Sequence, residues 1–438
     1  MTYDRGTQLS MSALRSDVVR ICSRLIQFDT TTSSGTERLA AEYVAEELDV
    51  IGLEPIVIEA EKDRTNLVLR LPGRDPSAEA ILIHAHLDVV PFDASEWRYS
   101  PLSGEIAEGC IWGRGAVDMK DMVAMLVTAV RELYRRGVSP QRDIVLAFVS
   151  DEEAGGSLGA QVLARDHREL FDGVTVALGE LGGFSVDVAQ SRLYLLETAQ
   201  KGAFSLELEV PGRAGHGSML NDRNPIERLV EILRKISDHQ FDTTILASNA
   251  TLFATLEELS GTPIDPTDIN ALTNLLGPTA RMIGASVRDT VNPTIVTGGY
   301  KTNVVPSSAG AVVDCRFLPG HRESMESALR SYIPDDVSVT VTEYGTGHEN
   351  VAPSWLTRGL TEALRRHDDA AVLSPMCIPG TTDARSFVPL GIRCFGFVPL
   401  KLPHGFDFAG MFHGVDERVP IDALEFGASV LVDCLAQL

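Results

Sequence analysis

Short apolar runs that end abruptly on ionisable residues constrain this chain more than any other feature. Ile81-Leu-Ile leads into His84-Ala-His86-Leu-Asp88. Ile144–Val149 leads into Ser150-Asp151-Glu152-Glu153. Val174–Leu178, interrupted only by Thr175, leads into Gly179-Glu180. Runs this short with apolar residues at successive positions suit strands covered on both faces, as in parallel sheets. Between and around them lie amphipathic stretches: residues 12–28, with Leu14, Val18, Ile21, Leu25 and Ile26 on one stripe, then residues 37–51 and Val117–Tyr134. A spacing of three and four predicts helices. Pro55–Glu59 and Asn66–Leu71 add short strands. The alternation predicts an α/β fold, a mostly parallel sheet with helices on both faces.

Near residue 199 the pattern changes. Phe204, Leu206, Leu208 and Val210 alternate as in a half-buried strand. Asn292–Val296, Ala311–Phe317 and Val337–Val341 read as further strands. Pro225–Ile236, with proline at its first turn, and Glu323–Tyr332 read as helices. From Ser354 the strand and helix alternation resumes. A chain of 438 residues is long enough for two domains. This order predicts an α+β unit inserted into the larger one, with segments 1–198, 199–346 and 347–438. Residues 241–290 fall inside the smaller unit, where they either shape a pocket or enlarge a surface.

The net charge of −23 argues against nucleic acid or an anionic membrane surface as a partner. No run of about 18 apolar residues is present to span a membrane, and the N-terminal residues lack the apolar core and cleavage site of a leader. The six cysteines (22, 110, 315, 377, 394 and 434) are scattered without a CxxC pair. They read as reduced thiols of a soluble cytoplasmic protein.

The ionisable residues beyond the strands carry the chemistry. His84, His86 and Asp88 alternate, so one strand can direct them to one face. Imidazole is a good zinc ligand, and a neighbouring carboxylate fixes its tautomer. Asp118, in Gly113-Arg-Gly-Ala-Val-Asp118-Met-Lys, precedes an apolar helix. Glu152 and Glu153 follow one strand and Glu180 another. His413 lies in Met411-Phe-His-Gly-Val-Asp416-Glu417-Arg. Singly, each has a plain explanation: a polar surface loop, a helix cap or a solvated turn. Together they converge, because ligand sites of open α/β sheets gather at the carboxyl ends of strands.

These blocks, in this order and spacing, resemble the co-catalytic zinc amidohydrolases that include aminoacylase, carboxypeptidase G, carboxypeptidase S and succinyl-diaminopimelate desuccinylase. The likeness runs from Leu25-Ile-Gln-Phe-Asp-Thr-Thr to His413 and is strongest to the carboxypeptidase S-like branch. It implies two Zn²⁺ per subunit, with Co²⁺ or Mn²⁺ as substitutes. His86 and Glu180 would hold one ion, His413 and Glu153 the other, and Asp118 would bridge them through a residue whose peptide bond to Met119 is cis. Asp88 would orient His86, and Glu152 would act as general base. His84 matches no ligand and is left to packing or to support of the ligands. Three carboxylates and a hydroxide neutralise two divalent ions, which limits the cost of burying the cluster. The larger unit would be the catalytic domain and the inserted one a dimerisation or lid domain.

The same resemblance implies a small-molecule substrate bearing a carboxylate and a homodimer in which His216, in Val210-Pro-Gly-Arg-Ala-Gly-His216-Gly-Ser, reaches the neighbouring subunit's site. Asn303, Arg316 and Arg385 match positions near the substrate carboxylate, where guanidinium provides paired planar hydrogen bonds. The expected reaction is hydrolysis of an amide beside a free carboxylate, in an N-acyl amino acid or small peptide. Dipeptidase or carboxypeptidase action stays open, as does a non-catalytic binding protein of the same fold. A metallo-β-lactamase-like site also opens with His-x-His-x-Asp but continues with His, where this chain has Val89.

Overall fold

The computed structural model describes residues 5–32 and 35–438, with side chains from residue 12 onward. The expected lack of a leader concerns a stretch that begins at residues 1–4, outside the described residues.

A ten-stranded mixed sheet forms the larger unit. Its main path runs Ile56–Glu61, Arg64–Leu71, Ile144–Val149, Ala80–His86, Val174–Gly179, Arg393–Gly396, Ser191–Gln200 and His348–Glu349. Ala80–His86 pairs in parallel with both neighbours. The unbroken apolar runs follow from this position. Ile144, Leu146 and Phe148 enter the core on one face, while Val145, Ala147 and Val149 enter the core on the other. The first core is closed by helices Arg5–Ile26, Lys120–Arg136, Ser354–His367 and Ile421–Gln437. Ala160–Asp166 and Ala384–Phe387 cover the opposite face.

The smaller sheet is antiparallel, in the order Thr290–Gly298, Ser308–Phe317, Gly202–Pro211 and Ser338–Gly345. One face buries Phe204, Leu206, Val313 and Cys315 under helices Pro225–Ser237 and Arg322–Arg330. The Asn224 side chain caps the first of these by accepting from the Ile226 amide, and Pro225 follows it. The chain leaves the large sheet at Gln200 and re-enters at His348, which pair directly. There Gly202 and Gly347 pass so closely that a Cβ on either would lie within 2.7 Å of the other's amide nitrogen.

Three details depart from the sequence reading. The helix expected from Val117 begins at Lys120, because the amides of Val117 and Asp118 are taken by the Glu417 carboxylate instead of a helical turn. Ser191–Gln200, a central strand, was not among the expected ones. Apart from Phe241, which packs against the core of the smaller unit, and Thr290, which opens its edge strand, residues 241–290 do not belong to that core. They fold as helices Ala247–Ser260, Ile269–Leu276 and Ala280–Ala285, and their Leu252, Leu256, Leu272, Leu276 and Ile283 join the core of the large sheet. The segment therefore leaves the smaller unit and packs back over the larger one, so core membership does not follow the expected 199–346 boundaries.

Candidate metal centre and cleft

The strand ends deliver their ionisable residues to one place. His86 ends its strand, Glu180 follows Val174–Gly179, and Glu152 and Glu153 lie in a single 3-10 turn beyond Ile144–Val149. Asp118 enters from the loop before helix Lys120–Arg136, and its bond to Met119 is cis. His413 comes from a turn near the C-terminus, with φ of 57°.

Two groups of potential metal ligands result, His86–Asp118–Glu180 and Asp118–Glu153–His413. Asp118 is common to both. Its Oδ1 lies 3.1 Å from His86 Nε2 and its Oδ2 lies 3.4 Å from His413 Nε2. Glu153 stands 3.2 Å from His413 Nε2, and Glu180 stands 3.7 Å from His86 Nε2.

The surroundings fit cations here. Oε1 of Glu153 and Oε1 of Glu180 are buried without a hydrogen-bond donor among the described residues. Burial, then the nearby Asp118 charge, raises the Glu153 carboxyl above its ordinary range. Asp118 and Glu153 together push the His413 imidazole up to about 10, so the pocket holds positive charge there tightly. His86 Nδ1 lies 3.0 Å from the Asp88 carbonyl oxygen. Donation there fixes a proton on Nδ1 and turns the Nε2 lone pair towards Asp118 and Glu180.

Asp88 was expected behind His86, and its carboxylate is 3.6 Å from Nδ1. That carboxylate also accepts from the amides of Glu152 at 3.0 Å and Glu153 at 2.9 Å. One buried side chain thus ties the His86 loop to the turn that carries two further site residues. His84 shares the strand face of His86 but sits one step inside the sheet, against Phe387 and beside Gly179. It belongs to neither ligand group.

Asp118, Glu152, Glu153, Glu180 and His413 open into a cleft of about 1300 Å³. The far side is the exposed face of the small sheet, including Val312, Asp314 and Arg316, and the helices of residues 269–285. Arg316 and Arg385 both line the cleft. Arg316 donates to Asp314 and Thr381. Arg385 donates to Glu152. Burial, together with the charges of Glu180 and Asp383, raises the Glu152 carboxyl well above its ordinary range, against the pull of Arg385.

His216 and Asn303 are exposed and absent from this lining. They sit together on the short ribbon Gly215–His216 and Val304–Val305, where the Gly217 amide donates to the Asn303 carbonyl. His216 Nδ1 accepts from the Ser218 amide, which leaves Nε2 to carry the proton outward.

Sequence reasoning missed the supports. The buried Glu417 carboxylate accepts from Arg114 at 2.7 Å and from the amides of Gly115, Val117 and Asp118, locking the His413 turn to the Asp118 loop. Arg64 joins the buried Glu37 and Asp151, the residue before Glu152. Glu417 stands in the same motif as His413, but no spacing marks a carboxylate that binds backbone.

The sequence matches Peptidase family M20/M25/M40 over residues 82–437. It is 28% identical over 383 residues to the N-fatty-acyl-amino acid synthase/hydrolase of Xenopus tropicalis, covering 82% of this chain and 72% of that protein. Against aminoacylase-1 of Sus scrofa it is 26% identical over 413 residues, covering 91% and 89%. Among solved structures, an M20 family metallo-carboxypeptidase from Sulfolobus solfataricus superposes with a TM-score of 0.74 at 18% identity, covering 96% and 98%. The chain belongs to the M20/M25/M40 peptidase family and is a metal-dependent hydrolase of amide bonds.

Proposed function

We propose that the chain hydrolyses the amide of N-acyl amino acids, with Glu152 as the base and two zinc ions held by His86 and Glu180, by His413 and Glu153, and by Asp118 in common. The observation that carries this reading is Asp118, whose two carboxylate oxygens each face a different histidine at the floor of the cleft. Histidine and carboxylate ligands suit zinc, and cobalt or manganese would substitute. When bound, the two ions supply an acidified water and an electrophile for the amide carbonyl.

The residues then divide the work. Glu152 takes a proton from the attacking water at its carboxylate and returns it to the departing nitrogen. Asp88 holds the Glu152 and Glu153 amides and orients His86. Arg316 and Arg385 pair with the substrate carboxylate, and Asn303, exposed beside His216 and outside its own chain's cleft, joins them from the other subunit. His216, exposed and outside its own chain's cleft, presents its Nε2 proton to the carbonyl oxygen in the other subunit of a homodimer. Residues 1–198 and 347–438 form the catalytic domain and the insertion between them the lid and dimer surface, with 247–287 packed on the catalytic core. Six free cysteines, five of them buried, favour a reducing cytoplasmic setting. Among the described residues no helix is long and apolar enough to cross a membrane.

The test is a panel of N-acyl amino acids and dipeptides presented to zinc-loaded protein, with Glu152→Gln as control. N-acyl amino acids should be cleaved with the higher kcat/KM. A clear preference for dipeptides would make the chain a peptidase, and turnover of neither would leave a binding protein.

A further inference from the structure

Asp383 is a buried carboxylate to which no role has been assigned so far. It is 1% exposed, and neither of its oxygens meets a hydrogen-bond donor among the described residues. The plain explanation of an aspartate here is a helix cap, since Asp383 precedes helix Ala384–Phe387 and aspartate in that position accepts from the first amides of the helix. Its side chain makes no such bond. Thr382 caps the turn instead. Its hydroxyl accepts from the Ala384 amide at 3.1 Å and donates to Gln200 Oε1 at 2.8 Å, which ties the turn to strand Ser191–Gln200. A buried carboxylate without donors is destabilising, so the position calls for another explanation.

The group beside it is Arg385. Gly156, in the turn that follows Glu152 and Glu153, shows how the two stand. A Cβ on Gly156 would lie 3.0 Å from Asp383 Oδ1, 3.3 Å from Arg385 Nη2 and 3.9 Å from Arg385 Nε. Glycine at this point lets carboxylate and guanidinium crowd the same side of the turn. Nη2 is occupied by Glu152, and Nη1 reaches only the Tyr344 carbonyl, at 3.5 Å. Nε is buried and has no acceptor among the described residues. Burial raises the Asp383 carboxyl above its ordinary range, and the first charge to oppose this is that of Arg385. Two opposite charges with unused hydrogen-bonding capacity thus flank Gly156, and each favours the ionised form of the other.

Arg385 needs a second anion during turnover. As the base, Glu152 has to turn its carboxylate to the attacking water, which takes from Arg385 the one carboxylate it holds. A guanidinium is a rigid fork, so one edge can stay anchored while the other receives a carboxylate. We propose that Asp383 is a positioning residue that holds the Nε side of Arg385, so that the outer nitrogens are presented to the substrate carboxylate when Glu152 turns away. This rests on the roles given above to Glu152 and Arg385. Asp383 itself touches neither the substrate nor a metal in this scheme.

The experiment compares kcat/KM for the best-cleaved N-acyl amino acid or dipeptide with that for its C-terminal amide, which lacks the carboxylate. Asp383→Asn should lower this ratio by about tenfold or more, the scale of a hydrogen bond to a charged group. Arg385→Ala should lower it too, and adding Asp383→Asn to Arg385→Ala should change it by less than about threefold further, because the two residues act as one unit. The melting temperature of Asp383→Asn should not fall, since a neutral amide replaces a carboxylate without donors. A clear fall would make the residue structural and overturn the proposal. So would a ratio that Asp383→Asn leaves unchanged, or full additivity in the double variant. If Asp383→Asn does not fold, Asp383→Ser is judged by the same ratio, and failure of both to fold also overturns the proposal. An unchanged ratio in Arg385→Ala shows instead that the reading of Arg385 fails, and the proposal with it. If no substrate is cleaved, the functional reading fails separately. Calorimetric binding of the same carboxylate and amide to wild type and the variants then gives the ratio, and the same outcomes decide.

Discussion

Arg385 Nη2 holds Glu152 at two points, the carboxylate Oε1 at 3.1 Å and the main-chain carbonyl at 3.0 Å. The residue proposed to bind the substrate carboxylate therefore also positions the proposed base. An arginine that only bound substrate would affect KM alone when removed. Arg385→Ala should raise KM and lower kcat together, and an unchanged kcat would remove the positioning role. Glu152→Gln should keep its metal and lose roughly 10²–10⁴-fold in kcat, the usual worth of general acid–base catalysis. Metal analysis beside steady-state kinetics checks both.

Asp118 faces both histidines, so its loss reaches both metal positions. Asp118→Ala should bind neither ion at concentrations that saturate wild type. Titration with zinc under a competing chelator measures this, and one site retained at full affinity would contradict a shared ligand.

Lys201 gives a pH-dependent stability. It is fully buried at the crossing between the two sheets, and burial lowers its ammonium to about 8 from 10.5. Between those values the unfolded chain binds more protons than the folded one, so this lysine's penalty is complete below about pH 8 and fades as pH rises towards 10.5. At 1.36 kcal/mol per unit the penalty approaches about 3 kcal/mol. Lys201→Met should be more stable than wild type at pH 7, with the advantage shrinking by pH 10. Denaturant melts at both values test it, and a constant gap would show that the charge is not responsible.

The large sheet was legible because its central strands are buried on both faces, leaving Ile144–Val149 apolar at every position. Ser191–Gln200 escaped because Arg192, Glu197 and Gln200 interrupt its apolar pattern, although Glu197 and Gln200 are buried. Periodicity also shows that residues 241–290 contain apolar faces without showing which core receives them. The candidate ligand residues stood out as ionisable groups at strand ends, and Asp88 stood out with them as a partner of His86. The supporting hold of Asp88 on the Glu152 and Glu153 amides, and the whole role of Glu417, did not, because amide contacts leave no trace in residue spacing.

Glu417 is the clearest such support. Glu417→Ala would leave buried Arg114 without its carboxylate and strand three amides of the Asp118 loop. Removing one partner of a buried ion pair costs about 3–5 kcal/mol. The variant should lose stability on that scale and bind metal weakly, because the loop that presents Asp118 is released. A melt within about 1 kcal/mol of wild type, against the expected scale, would show the contacts to be dispensable.

The role proposed for His216 connects assembly to catalysis. It stands exposed on the ribbon it shares with Val304, outside the cleft that contains Asp118 and Glu152. In a two-fold dimer the same patch is used twice, so each subunit would supply His216 to the other. Subunits carrying His216→Ala should be nearly inactive, as should subunits carrying Glu152→Gln. Mixing them should restore activity, because one site in each heterodimer joins an intact metal edge to an intact His216. With random exchange about half of the dimers are heterodimers, each with one of two sites working, so roughly a quarter of wild-type activity should return. Ser218→Ala offers a milder probe: it removes the hydroxyl contact to His216 Nδ1 but keeps the amide that fixes the tautomer, so its loss should be much smaller. No recovery in confirmed heterodimers, or full activity in a monomer, would place His216 outside the neighbouring site.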